Sequence, residues 1–150
     1  MYNKILLATD GSDIANRAVE KVIQIQKSWN SKVVVFFSIK HSIIPEVVVL
    51  ASPAYGHLNT FLDDLEVKKE GKKMLEDIQL QFNKKGLLVE TRLIEEEDPE
   101  DYITRIVDEE DFDLVVLGGK GAHSKLRKII IGSVTDKVVK HAPCDVLVIH

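Results

Sequence analysis

Short apolar runs alternate with longer amphipathic stretches along this chain, and that alternation leaves few folds open. Ile5-Leu6-Leu7-Ala8, Val33 to Phe37, Val89 to Ile94, Leu114 to Leu117 and Val146 to Ile149 read as strands. Three of these are apolar on both faces, which suits a parallel sheet covered by helices on each side. Between them Ala15, Ala18, Val19, Val22, Ile23 and Ile25 fit a helix. A long helix is expected from about Leu58 to Lys85, with Leu62, Leu65, Met74, Leu75, Ile78 and Phe82 facing the core. Tyr102, Ile103, Ile106 and Val107 mark a third helix, and Val134, Val138 and Val139 a fourth. Asp98-Pro99 opens the third, since aspartate can cap a helix and proline suits its first position. Five strands with helices between them predict a doubly wound α/β fold, an open five-stranded parallel sheet in the order 3-2-1-4-5.

The wider bounds agree. A chain of 150 residues is expected to form one domain with a real core. A net charge of −4 argues against general nucleic-acid binding, because no basic excess is present to neutralise phosphates. Met1 to Lys4 runs straight into Ile5-Leu6-Leu7 without a cleavage site, and no apolar stretch is long enough to span a bilayer. Cys144 is the lone cysteine, so no internal disulfide forms. A cytoplasmic protein is expected. His41 to His57, leaving the second strand, is irregular and holds two prolines and one glycine. It suits a partly buried surface loop as well as a lid or partner surface.

Function is written most clearly in Leu114-Val115-Val116-Leu117-Gly118-Gly119-Lys120-Gly121 and in Gly132-Ser133 further on. A buried strand that opens into glycines brings backbone close to something, and Gly132-Ser133 starts a helix from Val134 to about Lys140. The first amides of a helix and its dipole make a ready phosphate site. Two phosphate motifs fail on spelling. No segment has the glycine-lysine-Ser/Thr ending of a P-loop, and Ser124 stands where a dinucleotide fingerprint needs its third glycine. What remains is a site shared by two loops, beyond the carboxyl ends of the strands where strand order reverses. Asp10, ending the first strand, then faces the Gly118 loop and can accept hydrogen bonds from a ribose or an adenine amino group.

At these residues the chain resembles the universal stress proteins. Their pattern is G-x-x-G, usually nine residues, then G-[S/T], with an aspartate ending the first strand. The matching residues are Gly118-Gly119-Lys120-Gly121, then Gly132-Ser133-Val134-Thr135, with Ala8-Thr9-Asp10-Gly11-Ser12 at the first strand. The closing His141-Ala142-Pro143-Cys144-Asp145-Val146-Leu147-Val148-Ile149 is also close to the family's ending. Residues 122 to 131 number ten, one more than usual. The resemblance implies one Rossmann-like nucleotide-binding domain over residues 1–150 and the family's ATP-binding branch, with AMP as a related ligand. Transferred residue by residue, Asp10 contacts adenosine and Ile39 flanks the base. Leu117 and Gly118 line the crevice, and Gly121, Gly132, Ser133, Val134 and Thr135 hold ribose and phosphates. Mg2+ or Mn2+ would enter only through the phosphates.

Each candidate has a plainer role beside it. Gly118 and Gly121 also suit turn positions with positive φ. Ser133 suits an N-cap paired with Asp136, and Asp10 a cap of the first helix or a clasp on the Gly11-Ser12 turn. Lys120, His123, Lys125, Arg127 and Lys128 gather positive charge near the glycines, though a charge run is usually a solvated face. Glu95-Glu96-Glu97-Asp98 with Glu100-Asp101 is ordinary helix-dipole chemistry. The five histidines show no ligand spacing, and Cys144 reads as a buried small apolar residue.

No catalytic set is legible and no metal site is expected, so the chain reads as a binder with at most slow ATP hydrolysis. The leading expectation is an ATP- or AMP-binding regulatory protein of stress physiology with an unknown protein partner. A nucleotide-free interaction module of the same fold is the alternative favoured by the longer loop. A slow ATPase or an adenylate-forming relative ranks after it. A receiver domain fails because no acid ends the Val89 to Ile94 strand. Val146-Leu147-Val148-Ile149 would lie at the sheet edge with no lysine or proline to block pairing, which predicts a homodimer through that strand.

Overall fold

The computed structural model describes residues 1–40, 53–119 and 132–150. Its elements are β1 (Lys4–Ala8), α1 (Asp13–Trp29), β2 (Lys32–Ser38), α2 (Pro53–Asn83), β3 (Glu90–Ile94), α3 (Pro99–Glu109), β4 (Leu114–Gly118), α4 (Ser133–His141) and β5 (Asp145–Ile149). The strands form one sheet in the order β3-β2-β1-β4-β5, and every pairing is parallel. The expected fold class and strand order are both observed.

Side chains along a strand point to opposite faces in turn, and this sheet buries both faces. Ile5, Leu7, Val33, Val35, Phe37, Leu114 and Val116 pack toward Val19 and Val22 of α1 and Leu75, Ile78 and Phe82 of α2. The intervening Leu6, Val34, Phe36, Val115 and Leu117 pack toward Tyr102, Ile103, Ile106 and Val107 of α3 and Val138 of α4. Continuous apolar runs in β1, β2 and β4 are therefore a requirement of the two-sided core. The outer strands β3 and β5 are only half-buried.

Local chemistry sets the helix ends. Ser12 caps α1, its Oγ accepting the Ala15 amide at 3.2 Å, and Asn30 closes the helix in the left-handed region at φ 55°. Asp10 clasps the turn before it: its Oδ1 accepts the Ser12 amide at 3.0 Å. Of the two structural roles open to Asp10, the structure therefore has the turn clasp. Asp98 occupies the N-cap position of α3, but its side chain bonds no helix amide and instead lies 3.7 Å from Lys40 Nζ. Gly132, not Ser133, takes the N-cap position of α4; Asp136 pairs with Lys140 at 2.7 Å and forms no capping box.

Helix α2 begins at Pro53, earlier than the expected Leu58, since proline needs no hydrogen-bonded amide at a first helical position. Leu75, Ile78 and Phe82 are buried as expected, and Met74 is half-buried. Leu65 is instead 49% exposed. It lies two residues before the core-packed Val67, roughly 200° round the helix from it. The side chain of Leu62 lies outside the described residues. Cys144 is half-buried against the α3 and α4 face. No helix among the described residues is long and apolar enough to cross a membrane.

Candidate functional site

Strand order reverses between β1 and β4, whose neighbours lead to opposite ends of the sheet. Crossover helices leave from opposite faces there, so the carboxyl ends of the two strands splay apart and form a crevice. A cleft of about 290 Å3 occupies that place. Its floor comes from Ala8 and Thr9 after β1 and from Leu117 and Gly118 of β4. Asp10, Ser12 and Ala15 form one wall, Phe36, Phe37 and Ser38 of β2 another. Pro99 and the start of α4, Gly132 to Thr135, close the remaining side.

Three helices, α1, α3 and α4, begin on this cleft, so their positive dipole ends and first amides gather on one space. In α4 the first intrahelical bond runs from the Asp136 amide to the Gly132 carbonyl at 2.9 Å. The amides of Ser133, Val134 and Thr135 therefore lack an intrahelical acceptor. Asp10 is the one ionisable side chain among the described lining residues. The cleft thus mixes apolar and hydroxyl-bearing walls, is rich in backbone donors where the helices start, and carries a single described carboxylate, Asp10, beside the start of α1.

The ends of β4 and α4 are tied together. Thr135 is 2% exposed and donates its hydroxyl to the Gly118 carbonyl at 3.1 Å. Gly118 does not have the positive φ of a turn glycine. It is needed for space: a Cβ there would stand 2.8 Å from Ile14 Cγ2 and 3.4 Å from the Ala15 amide nitrogen. Gly119 donates its amide to the Ile149 carbonyl at 2.7 Å, and its missing side chain leaves room for the His150 imidazole. On the other rim, Ser38 donates to the Glu97 carbonyl at 2.6 Å, fixing the end of β2 to the segment before α3. Arg105 holds the Glu97 carboxyl below its ordinary range by a hydrogen bond.

Of the residues expected at a site, Asp10, Leu117, Gly118, Gly132, Ser133, Val134 and Thr135 meet at this cleft. Gly121 lies outside the described residues, as do the basic positions from Lys120 to Lys128. The Ile39 side chain does not line the cleft. It is 6% exposed and packs in the core on the α1 and α2 side, while its amide donates to the Ile94 carbonyl at 2.8 Å. Phe36, Ser38 and Pro99 join the site without having been expected there. Their common signal is position at a strand's carboxyl end or a helix start, visible once the strand order is known.

Comparison with known proteins agrees with this fold. The sequence model of the universal stress protein family matches residues 1–150. Universal stress protein YxiE of Bacillus subtilis is 33% identical over 155 aligned positions that cover 100% of both chains. Among solved structures, universal stress protein UspA of Lactobacillus plantarum superposes with a TM-score of 0.77 at 25% identity, covering 99% of this chain and 98% of that one. A universal stress protein family protein of Arabidopsis thaliana with AMP bound gives a TM-score of 0.67 at 25% identity, covering 98% of this chain and 90% of its own. With the family model and a full-length relative matching along its whole length, the chain belongs to the universal stress protein family.

Proposed function

We propose that the chain is a cytoplasmic, homodimeric stress-response regulator that binds ATP or AMP in the cleft between β1 and β4. The observation that carries this reading is the convergence of three helix starts on a cleft whose one described carboxylate, Asp10, stands beside the start of α1. Amides of Ser133, Val134 and Thr135 suit phosphate oxygens, while Asp10, held by its bond to the Ser12 amide, suits a ribose hydroxyl or an adenine amino group. Phe36, Ala8 and Leu117 offer apolar surface for a base. The AMP-bound Arabidopsis relative supports an adenine nucleotide. Mg2+ or Mn2+ would be carried on the phosphates. No general base is assigned, so binding is the proposed activity.

Calorimetric titration with ATP and with AMP, with and without Mg2+, tests this. Micromolar binding is expected, and a Gly132→Val, Ser133→Val double variant should lose it. Absence of binding to folded, nucleotide-free protein would sink the reading. The ten residues between Gly121 and Gly132 then favour the second one, an interaction module of the same fold that takes no nucleotide.

A further inference from the structure

The chain has two methionines. Met1 is 85% exposed, whereas Met74 of α2 is half-buried and packs against the core under the sheet. Its sulfur reaches the turn that presents Asp10. Gly11 has φ +75°, and a Cβ built there would stand 2.7 Å from Met74 Sδ and 3.9 Å from its Cγ. The thioether therefore fills the space a side chain at Gly11 would take. On the same face of α2, one turn earlier, Gly71 lets the helix approach closely: a Cβ there would lie 2.7 Å from Phe37 Cδ1. Met74 rests on the middle of a turn whose ends are fixed, Thr9 by its amide to the Phe36 carbonyl and Ser12 by the Ala15 and Asn16 amides, while Gly11 is held by its amide to Thr9 Oγ1 at 3.3 Å.

We propose that Met74 is an oxidation site that sets the conformation of the Thr9–Ser12 turn and, through Asp10, the affinity of the cleft for adenine nucleotide. The second half rests on the nucleotide reading above. The step is oxygen transfer from a peroxide: the sulfur lone pair attacks one peroxide oxygen, the O–O bond breaks, the thioether becomes a sulfoxide and water leaves. Sulfur is oxidised by two electrons and the peroxide is reduced by two. The product is bulkier and polar, and its oxygen needs a hydrogen-bond donor. Against Gly11 there is no room for an added atom on the contact side. Peroxide reaches the sulfur on the side away from Gly11, and hydration of the new S–O group there draws the side chain toward solvent and takes its apolar support from the turn. Cys144, the other oxidisable sulfur, is on the opposite face of the sheet, and burial pushes its thiol pKa up, which keeps it protonated and slow toward peroxide.

The test treats the purified full chain with hydrogen peroxide and locates the added oxygen by peptide mass spectrometry. Amide NMR signals of Gly11, Ser12 and Ala15 read the turn, and calorimetry reads ATP. Oxidation at Met74 should shift those signals and weaken ATP binding roughly tenfold. Methionine sulfoxide reductase should reverse both. A Met74→Leu variant should bind ATP as the parent does and stay unaffected by peroxide, although it keeps Met1 and Cys144. The proposal is overturned if Met74 resists peroxide that oxidises Met1, if the amides stay unmoved after oxidation, or if they move without a change in affinity. Were the untreated protein to bind no ATP, the nucleotide reading and the coupling to it would fall. The amide signals would still decide whether Met74 controls the turn.

Discussion

Gly118 and Gly86 are glycines for different reasons, and the difference gives a test. At Gly118 the backbone is ordinary strand, but a Cβ would meet Ile14 Cγ2 at 2.8 Å and the α1 backbone at Ala15 N, 3.4 Å. A Gly118→Ala variant must push the start of α1 away from the end of β4, the two elements that frame the cleft. A loss of about 1–3 kcal/mol is expected on overpacking grounds, with weakened ATP binding. At Gly86 nothing lies within 4 Å, and only its φ of +71° disfavours a side chain. Gly86→Ala should cost about 1 kcal/mol through backbone strain and leave ATP binding unchanged. Urea denaturation with calorimetry on both variants checks the pair. Equal affinities in the two would show that the Gly118 contact does not shape the site. At this scale the sequence was readable wherever a residue's place along a strand decided its role. Leu117 and Gly118 end β4, and both reach the cleft. Ile39 shows the limit. It continues the phase of Val33, Val35 and Phe37, so strand alternation turns its side chain into the α1 and α2 core despite its place at a strand end.

Element boundaries depend on contacts that no local pattern carries. β3 begins at Glu90 because its register starts there, opposite Val34, and the apolar Val89 before it packs as a partly buried flank. Asp98 is of the right residue type to cap α3, yet its carboxylate pairs with Lys40 from another part of the chain. The polar tie of α3 to the sheet is likewise long-range. Glu110, at its C-terminal end, receives Arg92 Nη1 of β3 at 2.7 Å, Arg92 Nη2 at 3.0 Å and Lys4 Nζ of β1 at 2.9 Å. These hydrogen bonds, Arg92's first, hold the Glu110 carboxyl near a pKa of about 2 against an ordinary 4.5. A pKa lowered in the folded state adds stability above 4.5 that disappears as pH falls toward 2. The side chain is 30% exposed, so solvent screening takes part of the gain. Glu110→Gln should therefore lose about 1–2 kcal/mol near neutral pH. The gap between parent and variant should close progressively below pH 4.5. Urea midpoints across that range are the measurement, and a gap independent of pH would assign the loss to packing.

For the whole molecule, assembly turns on the two sheet edges, β3 and β5. They differ in chemistry. β3 carries Glu90 and Arg92, charges of the kind that guard an edge, and Arg92 is tied down to Glu110. β5 is Asp145-Val146-Leu147-Val148-Ile149, with no charge after its first residue and every one of its apolar residues only half-buried. Pairing with a second copy would cover it, consistent with a twofold dimer. Backbone direction identifies the residues that would pair. The Ile149 carbonyl accepts the Gly119 amide, so Ile149 turns its polar backbone groups toward the β4 side. Those groups alternate along a strand, which leaves the amides of Val146 and Val148 facing the free edge. Val148→Pro therefore removes an outward donor while sparing the ladder to β4, and proline is tolerated on an edge strand. In a twofold dimer the loss occurs twice, so dimerisation should weaken by about 2 kcal/mol, roughly thirtyfold. Sedimentation equilibrium of parent and variant, with circular dichroism to confirm an intact fold, measures it. A parent that sediments as a monomer, or a variant that dimerises as well as the parent, would remove β5 from the interface.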